Sequence, residues 1–111
     1  MNNSKFFVIN KKLVECRFGL KSLKILTESA YDVDKDSTLL WFIGSGNSHE
    51  ELPESLKQDF KNFFNSLYIP SKQELEELYI RGLGELNIPL NVLNEMTPQE
   101  MQMAYQGYLR R

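Results

Sequence analysis

The sequence predicts an α+β fold, an N-terminal β-hairpin followed by four or five α-helices and predominantly helical, in a single domain over residues 1–111. Three observations predict it. Two β-prone runs, "KFFVIN" and "LVECRF", open the chain. Beyond Gly19 the apolar residues recur at helical spacing. Two Ser/Thr-x-x-Glu helix starts, Ser71 with Glu74 and Thr97 with Glu100, punctuate the second half. The 111 residues are 41% apolar and 12% aromatic, enough to bury a core without disulfide or metal staples.

In the hairpin, Val14, Cys16 and Phe18 fall on one face and Leu13, Glu15 and Arg17 on the other, with Lys11 and Lys12 expected between the strands. Leu20, Leu23, Leu26 and Ala30 then mark a helix over residues 20–29, with Lys21 and Lys24 outward. After the acidic link "DVDKDS", the run "LLWFI" (39–43) is apolar all round and fits a buried helix or a strand equally. "GSGNS" (44–48) reads as a loop, and Pro53 sits near the first turn of the next helix. There Leu56, Phe60, Phe63, Phe64 and Leu67 form one stripe. Ser71 starts a further helix lined by Leu75, Leu78, Tyr79 and Leu86. Thr97 as N-cap, Pro98 at the first helical position and Glu100 start the last one, with Met101, Ala104, Tyr105 and Tyr108 as its stripe. Gly107 interrupts that stripe at a cost of up to ~1 kcal/mol relative to alanine, so it ends the helix early or admits a close neighbour.

Charge is uneven. Residues 1–24 hold six basic residues against Glu15 alone, a net of +5, so the rest carries −7 of the overall −2. Such asymmetry suits a nucleic-acid arm, head-to-tail self-association, or simply solvated faces. A single cysteine, no secretory leader and no apolar run near the roughly 20 residues of a membrane helix place the expected chain in a reducing cytoplasm, without a membrane span.

Catalytic patterns are incomplete. Asp32, Asp34 and Asp36 open like a calcium-binding loop, but Ser37 stands where that loop needs glycine and Ile43 where it needs glutamate. Gly44, Ser45 and Gly46 begin like a dinucleotide-binding turn, but His49 takes the third glycine's place. Cys16 lies among apolar strand residues and His49 in a polar loop, which makes neither a zinc site nor a nucleophile pair. No enzyme, metal or cofactor is expected. What stands out is adaptable apolar surface. Met101 and Met103 cannot face the same core, and methionine suits surfaces that mould to partners.

Two segments together resemble the tail assembly chaperones of long-tailed bacteriophages. "VINKKLVECRFGLKSLKILTES" is similar to the family's opening, and "MTPQEMQMAYQGYLRR" is similar to the motif Met/Leu-Thr-Pro-x-Glu, apolar spacer, Gly-Tyr, basic end of the downstream extension of such chaperones. The matching residues are Thr97, Pro98, Glu100, Gly107, Tyr108 and Arg111. The resemblance implies virion morphogenesis in the cytoplasm of a bacterial host, from a phage or prophage genome. It implies self-association, binding of the tape measure protein, and recruitment of the tail tube protein through the C-terminal extension. Here both motifs share one chain shorter than a usual long form. On this reading Leu39, Trp41, Phe42, Phe63 and Phe64 serve self-association or tape measure binding. The tail, with Met96, Thr97, Pro98, Glu100, Met101, Tyr105, Gly107, Tyr108 and Arg111, meets the tube protein. The alternative is a small helical nucleic-acid-binding regulator using the basic first 24 residues, against which stand the acidic whole and the lack of a recognition helix with clustered Arg or Asn.

Overall fold

A computed structural model describes residues 2–46 and 50–110. The α+β expectation holds: strands β1 (Ser4–Ile9) and β2 (Lys12–Arg17) precede a predominantly helical body. Its helices are α1 (Leu20–Thr27), α2 (Ser37–Gly44), α3 (Lys57–Asn65, entered through a 3-10 turn at Glu54–Leu56), α4 (Lys72–Gly84), the single turn α5 (Leu90–Leu93) and α6 (Pro98–Leu109).

The strands pair antiparallel from Ile9 opposite Lys12 to Ser4 opposite Arg17. The turn is Asn10–Lys11 rather than Lys11–Lys12, with φ of 51° and 63°. Both central residues of a tight primed turn need positive φ, and asparagine tolerates that region where most side chains do not. Lys12 is thereby freed to begin β2. The predicted faces of β2 hold, with Cys16 and Phe18 buried, Val14 half-buried and Leu13 pointing away; on β1, Phe7 and Ile9 are buried while Phe6 and Val8 point away.

The "LLWFI" segment is helical. Asp36 Oδ2 accepts the Asp32 amide and Asp32 Oδ1 the Asp34 amide, so the loop acids tie their own backbone and turn the chain into α2. Leu40, Trp41 and Gly44 form its inner face. Gly44 belongs to the helix and not to the loop expected there, and a Cβ on it would lie 2.5 Å from Cys16 Sγ. Glycine lets α2 press against β2 at this point.

The core is one apolar cluster. Trp41 is fully buried, edge-on to Phe7 at 5.4 Å and to Phe60 at 5.7 Å, and its indole N–H donates to the Glu50 carbonyl at 2.8 Å. Phe18 meets Phe64 at 5.6 Å, joining the end of the hairpin to α3. Asn3, also buried, exchanges hydrogen bonds with the Tyr68 backbone, donating at 2.9 Å and accepting at 3.0 Å. That buried amide is therefore satisfied, and it fastens the start of β1 to the α3–α4 link.

Helix α1 ends at Thr27, two residues before the expected boundary, and Ala30 lies exposed beyond it. At its other end no side chain caps it. The Leu20 and Lys21 amides donate instead to the Met96 and Asn94 carbonyls at 2.9 and 3.0 Å. A Cβ on Gly19 would lie 2.7 Å from the Glu95 carbonyl, so residues 94–96 can dock there only against glycine.

Candidate functional site

The C-terminal stretch is built outward from its cap. Thr97 is buried; its hydroxyl accepts the Glu100 amide at 3.2 Å, and Glu100 Oε1 accepts the Thr97 amide at 2.9 Å. Both halves of the predicted capping box are thus present, with Pro98 in the first turn. The same carboxylate takes an ion pair from Arg17 on β2, whose guanidinium also holds Glu15 at 3.1 Å. Arg17 as its main partner, with Ser4 also donating, holds the Glu15 carboxyl below its ordinary range. The bridge ties the hairpin to the start of α6.

Met101 is buried, its methyl against the backbone of Gly82 on α4, where a Cβ would meet it at 3.2 Å. One turn on, the Arg81 guanidinium lies 4.2 Å over the half-buried Tyr105 ring. Between α4 and α6 opens a groove of about 640 Å³ lined by Glu74, Glu77, Arg81, Gln102, Tyr105 and Gln106. Ser71 caps α4 as expected, accepting the Glu74 amide at 3.1 Å, while Glu74's carboxylate takes the Tyr68 hydroxyl.

Beyond Tyr105 the helix leaves the core. Tyr108, expected to complete the inward stripe, is exposed and stacks on Tyr105, their ring centres 6.2 Å apart. Met103 is 72% exposed and Leu109 63%. Gly107 neither ends the helix nor receives a neighbour, because a Cβ there would meet nothing within 4 Å.

The other expected contact residues divide sharply. Leu39 is 60% exposed and Phe42 half-buried, whereas Trp41, Phe63 and Phe64 are core. As folded, those three cannot present a surface: Trp41 joins α2 to Phe7 and Phe60, and Phe63 and Phe64 join α3 to Phe18. Thr97, Pro98 and Met101 are buried too; Met96 and Glu100 are half-buried, and Arg111 lies outside the described residues. Helix periodicity could not separate these groups, since a stripe says which residues share a face and not how far the neighbouring element reaches. The Arg17 bridge was equally hidden, joining residues 83 apart in sequence.

Burial pushes the Cys16 thiol up to about 12, so at neutral pH it is an inert thiol inside the fold. His49 lies outside the described residues. Among the described residues no group of three or more His, Cys, Asp and Glu could hold a metal, and no helix is long and apolar enough to cross a membrane. In comparisons with protein-family models, curated proteins and solved structures, nothing matches this chain.

Proposed function

We propose that this chain is a non-catalytic assembly chaperone of the bacteriophage tail, which binds the tape measure protein and uses its C-terminal helix to recruit tail tube subunits. One observation carries the reading: α6 is bound to the body at its first turns and bare at its last, presenting Met103, Tyr108 and Leu109 beside Arg110. A helix fixed at one end with an apolar far end suits capture of a partner by helix packing. The Thr-Pro-x-Glu and Gly-Tyr pattern on this element resembles the chaperone extension. Many weak apolar contacts repeated along a long helical target would keep that target soluble.

The test is co-expression with the tape measure protein of the same genome. A soluble complex is expected, and pairing Leu109→Asp with Tyr108→Ala should abolish tube-protein binding while the complex survives. Equal precipitation of the tape measure protein with and without this chain would sink the proposal. A salt-dependent mobility shift with DNA would favour the nucleic-acid regulator instead.

A further inference from the structure

The groove between α4 and α6 and the free end of α6 carry opposite charge. Glu74 and Glu77 line the groove against Arg81 alone, a net of −1. Among the described residues neither acid enters an ion pair: Glu77 has no cation on it, and Glu74 takes only the neutral Tyr68 hydroxyl. Arg81 is turned to the Tyr105 ring instead. Beyond Glu100, by contrast, the sequence holds Arg110 and Arg111 and no acid. The same end carries Leu109, 63% exposed and on the helical stripe of Gln102 and Tyr105, which themselves line the groove.

The order of charges along the groove sets a direction. The Tyr68 amide and the Gln99 side chain both donate to Asn3 Oδ1, at 3.0 and 3.2 Å, while Arg81 lies over Tyr105. Helices α4 and α6 therefore run the same way along the groove, with Glu74 and Glu77 toward the start of α6 and Arg81 at its middle. A basic helix end laid parallel to α6 would bring Arg110 to Arg110 and leave the acids unanswered. Laid antiparallel, it meets them.

We infer that the groove between α4 and α6 receives the end of α6 from a second copy of this chain, the two helices antiparallel about a two-fold axis near Tyr105. Arg110 lies five residues past Tyr105, about 7.5 Å along the helix, so the axis sets it level with residue 100 of the other copy, beside Glu74 and Glu77. Leu109 leaves water for the half-buried Leu78 and Tyr105 of that copy. Each copy gives and receives the same contacts, so the pair closes on itself and does not grow into a filament. The pairing does not rest on the proposed chaperone function. Under that function it covers the end that captures tube subunits, so a tube subunit and the second copy exclude one another.

Sedimentation equilibrium of the full chain over a concentration series should show monomer and dimer, with the dimer weakened by added salt. Glu77→Lys and Arg110→Glu, both on exposed positions and checked for unchanged melting, should each weaken the dimer by about tenfold or more, because every contact occurs twice in the pair. Combined in one chain, the two reversals match each other again, and that dimer should be tighter than either single variant's by about fivefold or more. A chain that stays monomeric, a dimer indifferent to both reversals, or a combined variant no tighter than the singles would overturn the inference. So would assemblies that grow beyond the dimer as concentration rises. A dimer that responds as expected in a chain that fails to solubilise the tape measure protein would reject the proposed function and leave the pairing. A monomer that solubilises it would do the reverse.

Discussion

The two halves of the C-terminal stretch share one helix and almost nothing else. From Asn94 to Met101 each feature faces inward: carbonyls that complete α1, a reciprocal cap, an ion pair to the hairpin and a buried methionine. From Met103 onward Met103, Tyr108 and Leu109 face water, while Arg81 over Tyr105 still ties the helix to α4. Stability and presentation are thus separated along the helix axis, so substitutions in one half should not report on the other.

The largest break in that comparison is Met101→Ala. Removing a fully buried methionine should cost about 2–5 kcal/mol in chemical denaturation, whereas Met103→Ala should stay within about 0.5 kcal/mol. If the two cost the same, the helix is not divided as described. Thr97→Ala removes the hydroxyl that accepts the Glu100 amide and should cost about 1 kcal/mol. Gly107→Ala should raise stability by up to about 1 kcal/mol, since open space surrounds the site and alanine is the better helix former. If, under the proposed function, tail assembly also proceeds normally with that variant, no partner packs closely at Gly107.

The smallest effect is electrostatic. Glu15's folded pKa lies below its ordinary 4.5, so its contribution is present above the unfolded value and is lost as pH falls through the folded one. Melting temperatures of wild type and Glu15→Gln should therefore converge as the pH is lowered below the ordinary 4.5 and through the folded value. Added salt should narrow the same gap at neutral pH, as expected of a partly exposed pair. A gap that stayed constant over that range would mean Glu15 acts by packing and not by charge.

Local rules read much of this molecule from its sequence. The Thr97 and Ser71 caps, the α3 stripe and the inward alternation of β2 all depend on residues within a turn or two of each other. The turn falls one residue earlier than the lysine pair suggests, because Asn10 tolerates the positive φ that the turn needs. Non-local features were out of reach. That Trp41 is core while Leu39 is surface depends on how α2 meets β2 and α3. That Gly19 is a docking point depends on a segment 75 residues away, whose carbonyls carry no side-chain signature. For the candidate site, the element was legible and its division into buried base and bare end was not.

The seating of Asn94 and Met96 on the first amides of α1 also bears on the order of synthesis. A chain grows from its N-terminus, so the hairpin and α1 emerge before residues 94–96, with the α1 amides unanswered and the Gly19 notch empty. Their structural partners, the Asn94 and Met96 carbonyls, arrive only when the intervening helices have already been made. Folding must therefore finish after the ribosome has delivered residue 96, and a product stopped short of Asn94 would leave this junction open however well its strands and helices form locally.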